Sequence, residues 1–124
     1  METGSVVAMS LTVRELVKAC QREIQQTADL QPDRAAELLM QLTALMGNIA
    51  DEIREADSEY AVTLLHFLDN EKKANRARIR AEISPEFRRK QEARDTKELV
   101  VEMTRSLKYF LKAKQDEYAM SRHQ

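Results

Sequence analysis

The side chains best suited to chemistry in this sequence are eight cations gathered around one proline. They lie on both sides of Ser84-Pro85 and are Lys72, Lys73, Arg76, Arg78, Arg80, Arg88, Arg89 and Lys90. Arginine binds phosphate or carboxylate groups through paired hydrogen bonds, and lysine binds them as a point charge. These eight residues, the basic tip, therefore predict a surface that binds nucleic acid or an acidic protein partner. Only Phe87 is aromatic there, so a stacking platform for single strands is not expected.

The net charge of −1 conceals a strong asymmetry. Residues 72–97 contain ten basic and four acidic groups, whereas residues 1–71 contain five basic and thirteen acidic groups. The acidic excess includes a run, the acidic run, made of Asp51, Glu52, Glu55, Asp57 and Glu59. We interpret this run as a solvated face that a basic partner could use. For the basic tip, the alternative interpretation is that its charges are only solvated and bind no partner.

The sequence lacks the residue patterns of known catalytic sites. His66 and His123 have no Glu three positions earlier, as a di-metal carboxylate bundle would require. The sequence also contains no Cys-x-x-Cys motif, phosphate-binding glycine loop or nucleophile elbow. His66 lies beside an apolar stripe and reads as a boundary residue. We therefore expect a non-enzymatic protein without metal, cofactor or small-molecule substrate.

The composition predicts the elements that position these residues. The chain has 124 residues, two Gly, two Pro and no Trp, and 33% of its residues are charged, which is typical of long helices. The single cysteine, Cys20, cannot form an intramolecular disulfide and falls on an apolar helix face, so we expect a core residue. No apolar run approaches the roughly 20 residues that span a bilayer. These features predict a soluble, cytoplasmic protein without membrane contact.

Capping signals place the helices. Residues 1–11 are expected to be a flexible leader, of which residues 1–8 could be foreign to the natural protein. Helix one, at about 12–28, begins at a capping box formed by Thr12 and Glu15. Helix three, at about 85–121, begins after an N-cap serine and a proline at its first position.

Helix two is expected over residues 32–83, beginning at Pro32, with a possible bend at Gly47. Its stripe follows an eleven-residue repeat, which favours nearly straight packing over a left-handed coiled coil. The stripe consists of Leu38, Leu42, Leu45, Ile49, Ile53, Ala56, Tyr60, Leu64 and Phe67.

These elements predict an all-α fold, a long antiparallel hairpin of helices two and three within a single domain over residues 12–124. Small residues at Ala74, Ala77 and Ala81 would let helices approach closely beside the basic tip. Helix one would pack near the end of the hairpin remote from the basic tip. The aromatic content of 5% implies a narrow core, so we expect a homo-oligomer.

A family resemblance appears in the second half of the chain. The segments that carry it are Glu59-Tyr60, Lys73 to Ile83, Ser84-Pro85-Glu86-Phe87-Arg88-Arg89, and Ser106-Leu107-Lys108-Tyr109 to Ser121-Arg122-His123-Gln124. They resemble small helical proteins of bacteriophages and prophages, often encoded near phage recombination and replication functions. The likeness brings no catalytic residues. It implies a phage accessory protein, acting in the host cytoplasm, in DNA metabolism.

Three functions remain open at this point. The first is a non-enzymatic accessory protein that binds nucleic acid or an acidic protein through the basic tip. The second is a structural subunit whose apolar stripe builds an oligomer. The third is an inhibitor that blocks a host protein complex, as an anti-defence protein does.

Overall fold

The computed structural model describes residues 11–122, which form four α-helices. They are α1 (Val13–Gln26), α2 (Pro32–Asn70), α3 (Ala74–Glu82) and α4 (Pro85–Arg122). No β-strand occurs between residues 11 and 122, so the all-α prediction is confirmed. In the same range no helix is long and apolar enough to cross a membrane. The predicted leader, apart from Leu11, lies outside the described residues.

The predicted capping signals are present at the starts of α1 and α4. The Thr12 hydroxyl accepts a hydrogen bond from the backbone N–H of Glu15 at 3.1 Å, and the Glu15 carboxylate accepts the N–H of Thr12 at 3.5 Å. At α4 the Ser84 hydroxyl accepts the N–H of Phe87 at 3.2 Å, ahead of Pro85 at the first helical position. Both caps satisfy donors that a helix start leaves without partners.

The prediction of one helix over residues 32–83 is wrong, because α2 ends at Asn70 and α3 begins only at Ala74. The Asn70 side-chain amide donates to the backbone carbonyl of His66 at 2.6 Å, and such a bond competes with the helical ladder. The break also allows Arg80 Nε to reach Glu71 Oε1 at 2.6 Å. In an unbroken helix these residues would be roughly two and a half turns apart and would face opposite sides.

At Gly47, in contrast, α2 continues without interruption. A Cβ atom built at this glycine would meet nothing within 4 Å, so no close packing requires a glycine there. The helix tolerates the residue at a cost of about 1 kcal/mol relative to alanine.

The described residues group into two compact units. The first unit contains residues 11–46 and 99–122, and the second contains residues 47–98. The single domain expected over residues 12–124 stays a prediction.

The first unit has a core of medium and large apolar side chains. Its buried residues are Val17, Cys20, Ala35, Leu38, Leu42, Val100, Met103 and Leu107. Cys20 lies in this core as predicted, with its Sγ 3.8 Å from Gln41 Oε1, and burial raises the pKa of its thiol. The helical spacing in α2 therefore identified Leu38 and Leu42 correctly as core residues of this unit.

The second unit has a core of small residues instead. Its buried residues are Ile49, Ala56, Ala77, Ala81, Ala93 and Thr96. Ala93 and Thr96 bring the α4 segment between Arg88 and Glu98 into this core. The Thr96 hydroxyl donates to the carbonyl of Glu92 at 2.7 Å, which satisfies its polar atom inside the core.

A bidentate ion pair joins α1 to α2 within the first unit. Arg34 donates from Nε and Nη2 to the two carboxylate oxygens of Glu23, at 2.5 and 2.6 Å. Arg34 also donates to Glu37 at 2.9 Å. The hydrogen bonds from Arg34 lower the pKa of Glu23.

The Leu42→Ala variant tests the core of the first unit. Leu42 is fully buried, so we expect the substitution to lower the free energy of unfolding by about 2–5 kcal/mol through lost burial and a residual cavity. Urea unfolding followed by circular dichroism measures it. The Met40→Ala variant is the control, since Met40 is 74% exposed and its loss should change stability by about 0.5 kcal/mol or less. Equal losses in the two variants would contradict this packing.

The Glu23→Gln variant tests the ion pair through its pH dependence. Because the pKa of Glu23 is lower in the folded state, its contribution is complete above the unfolded glutamate pKa of about 4.3 and disappears as pH falls through the folded value. We therefore expect the wild type to be more stable than the variant at pH 7, and the difference to shrink below about pH 4. Urea midpoints at a series of pH values measure it, and a pH-independent difference would refute the assignment.

Candidate binding surface

The structure divides the basic tip into two groups of residues. Three of them contact acidic or aromatic side chains of the same unit: Arg80, Arg89 and Lys90. The other five are exposed and form no ion pair with any residue between 11 and 122: Lys72, Lys73, Arg76, Arg78 and Arg88. Only the second group is available to bind a partner without breaking an existing contact.

Arg89 joins the start of α4 to three glutamates of α2. Its Nε lies 3.0 Å from Glu52 Oε1, its Nη2 lies 3.3 Å from Glu55 Oε2, and its Nη1 donates to Glu59 Oε1. The hydrogen bonds that Arg89 donates to Glu59 and Glu52 raise the pKa of its guanidinium above the usual value. The planar guanidinium suits this role because it presents five donors in a fixed geometry.

Further contacts join the same two helix segments. Arg94 donates to Asp57 Oδ2 at 2.7 Å. The Tyr60 ring packs on Phe87 with 5.2 Å between ring centroids, and the Lys90 ammonium lies 4.5 Å from the Tyr60 centroid. The basic residues at the start of α4 are thus mostly engaged within the protein.

The acidic run is more than a solvated face, because Arg89 and Arg94 of α4 pair with four of its five residues. Glu52, Glu55 and Glu59 follow each other at intervals of three and four residues, so they share one helix face, and Arg89 pairs with all three. Between residues 11 and 122, no group of three or more His, Cys, Asp or Glu side chains is arranged to hold a metal ion.

The chain reversal at Ser84-Pro85 also differs from the predicted geometry. Two unbroken helices meeting there would place Arg89 opposite Ile79. Arg89 instead contacts residues 52–59 of α2, about 20 to 27 positions further back along the chain. The short helix α3 is the reason, since it occupies the chain between the end of α2 and the start of α4.

The sequence prediction missed two open cavities in the second unit. One, of about 550 Å³, is lined in part by Val62, His66 and Phe67 of α2 together with Ile83. The other, of about 620 Å³, is lined in part by Ile79 and again by Ile83. The signal was present in the sequence, because Ile79 and Ile83 are the only large aliphatic residues between 69 and 83 and stand four positions apart.

The Arg89→Met variant tests the contacts between α4 and α2. It leaves three glutamates of one helix face without their shared cation, and partly exposed pairs contribute about 0.2–1 kcal/mol each. We therefore expect a loss of about 1 kcal/mol in the free energy of unfolding, measured with urea. The Arg88→Met variant removes the same charge from an exposed neighbour and should change stability by less than about 0.5 kcal/mol. Equal effects would show that Arg89 does not hold the helices together.

Comparison with protein-family models, with curated proteins and with solved structures finds no match for this chain.

Proposed function

We propose that this protein is a non-enzymatic binding module that docks on a negatively charged macromolecule. The observation that supports the proposal best is the set of five exposed cations without an ion pair to any described residue, on α3 and beside it. These cations, the basic surface, are Lys72, Lys73, Arg76, Arg78 and Arg88. Arg80, Arg89 and Lys90 already contact other side chains of the second unit, so they are less available to a partner.

The separation of the two groups supports this function in electrostatic terms. Arg89 and Arg94 are balanced by carboxylates, and the field of those pairs falls off quickly outside the protein. The cations of the basic surface have no such balance among the described residues, and so their charges add. Such a patch attracts polyanions and loses affinity steeply with salt.

The proposal includes the predicted architecture. We propose that α2 and α4 form a long antiparallel hairpin, with α1 near the end remote from the basic tip. Two contacts of the second unit support the antiparallel direction. Phe87 of α4 packs on Tyr60 of α2, and Arg94, which follows Phe87, pairs with Asp57, which precedes Tyr60.

The biological setting that we propose is phage DNA metabolism in the host cytoplasm, following the resemblance of residues 59–124 to small phage proteins.

A structural oligomer is the second candidate function. It is favoured by three exposed aliphatic side chains of α2: Val62, Leu65 and Leu68. Inhibition of a host protein complex would use the same basic surface on an acidic protein target.

Binding of labelled single- and double-stranded DNA and of labelled polyglutamate at about 50 and 200 mM salt tests the proposal. We expect binding of at least one polyanion that weakens at least tenfold over this range, since several ion contacts are screened. A variant with Lys73, Arg76, Arg78 and Arg88 changed to Glu should lose this binding. It leaves Arg89 in place, so its helix content should match that of the wild type.

The matched control reverses four exposed cations of the first unit, Arg22, Arg105, Lys108 and Lys112. This control has the same net charge as the test variant, so it should keep the binding if the basic surface carries it. An equal loss of binding in both variants would show that binding depends on the net charge of the protein and not on the basic surface. Absence of binding to all three polyanions at 50 mM salt would overturn the proposed function.

A further inference from the structure

Two of the open cavities in the second unit adjoin each other. Arg80 and Ile83 line both of them, and we call the two adjoining cavities together the Ile83 groove. Its lining comes from the end of α2, from α3 and from the first residues of α4. Every lining residue belongs to the second unit.

Large apolar side chains of this groove are exposed although small ones are buried. Ile83, Val62 and Ile79 are 78%, 66% and 55% exposed, whereas Ala77 and Ala81 of the same region are fully buried. Burying such aliphatic side chains is favourable, and a protein that leaves several together in solvent often uses them to bind. The groove therefore offers apolar surface that the second unit itself does not cover.

The charge along the groove is positive on one side. Lys73 and Arg76 line the cavity beside α3, and neither pairs with an acidic residue between 11 and 122. Arg80 lies between the two cavities and is held by Glu71. Glu86 is the acidic residue lining the groove, at the opposite side, where α4 begins.

From this combination we propose that the Ile83 groove binds an amphipathic helix of a partner protein, apolar on one face and acidic along the edge that meets α3. The apolar face would cover Val62, Ile79 and Ile83, and the acidic edge would pair with Lys73 and Arg76. The inference rests on the proposed function and specifies its partner. Helix-in-groove recognition of this kind uses apolar anchors at positions i, i+3, i+4 and i+7.

A nucleic acid fits this groove less well than such a helix. Phosphate groups laid across Ile79 and Ile83 would lose water without gaining hydrogen bonds there, which is unfavourable. Phe67 and His66 are the aromatic rings that line it, and His66 already packs edge-on against Phe67 at 5.5 Å between centroids. The apolar walls therefore select for a ligand that carries both aliphatic side chains and carboxylates.

Three fluorescein-labelled peptides of about 20 residues test the inference against the full-length protein by fluorescence anisotropy. The first is a helix-forming peptide with Leu at i, i+3, i+4 and i+7 positions and Glu along one flank. The second has the same composition in an order that destroys the apolar face. The third keeps the apolar face but carries Lys instead of Glu. We expect the first peptide to bind at least tenfold more tightly than either of the others.

Substitutions in the protein assign the binding to the groove. Ile83→Glu should weaken binding of the first peptide at least tenfold, because it places a charge among the apolar contacts. Arg76→Glu should weaken it and reduce its dependence on salt. Met40→Glu is the matched control, since Met40 is equally exposed but lies in the first unit, and it should bind as the wild type does. Circular dichroism spectra verify that all variants keep their helix content.

The outcomes separate this inference from the function on which it rests. Equal binding of the first and second peptides would overturn the inference and leave an electrostatic binding module. The inference would also be overturned if no peptide bound selectively and the protein bound DNA in a salt-sensitive way that Ile83→Glu did not change. An electrostatic binding module would again be left. Self-association that Ile83→Glu abolishes, measured by sedimentation, would assign the groove to a second copy and also overturn the inference. Failure to bind any peptide or polyanion would overturn both.

Discussion

The guanidinium of Arg89 is the contact on which the packing in the second unit depends. Glu52, Glu55 and Glu59 share one face of α2 and would repel each other without a cation between them. Arg89 can meet all three because its donors point in several directions within one plane. A lysine would offer one ammonium group, and three carboxylates could not all reach it with good geometry. Together with the Arg94–Asp57 pair and the Tyr60–Phe87 contact, Arg89 holds the start of α4 on α2 in the second unit.

Polar contacts hold the helices of the second unit in place because the apolar core of this unit is small. Alanine dominates it, with Ala56, Ala77, Ala81 and Ala93 all buried. Alanines let helices approach closely, but each buries little apolar area, so the hydrophobic term alone distinguishes poorly between alternative helix positions. The first unit differs because Leu38, among other larger side chains, fills its core.

The same arrangement decides which charges and which apolar groups remain available for binding. Arg89 and Arg94 are used inside the unit, whereas Arg76 and Arg88 stay in solvent. Because α3 and its neighbours bury alanines, Ile83 stays outside. The proposed binding surface is therefore what remains after the unit has satisfied its own charges. Its combination of cations and aliphatic side chains fits a helical acidic partner better than a purely electrostatic ligand.

Local sequence alone determined the starts of α1, α2 and α4 and the apolar stripe of α2. The capping box at Thr12 and the N-cap at Ser84 involve residues within three positions of each other, so they can be read from the sequence. Tertiary structure alone decided the burial of Ala93 and the partners of Arg89. These depend on contacts between residues up to 37 positions apart, such as Arg89 with Glu52. Helical periodicity shows which face a residue occupies, but not which other helix that face meets.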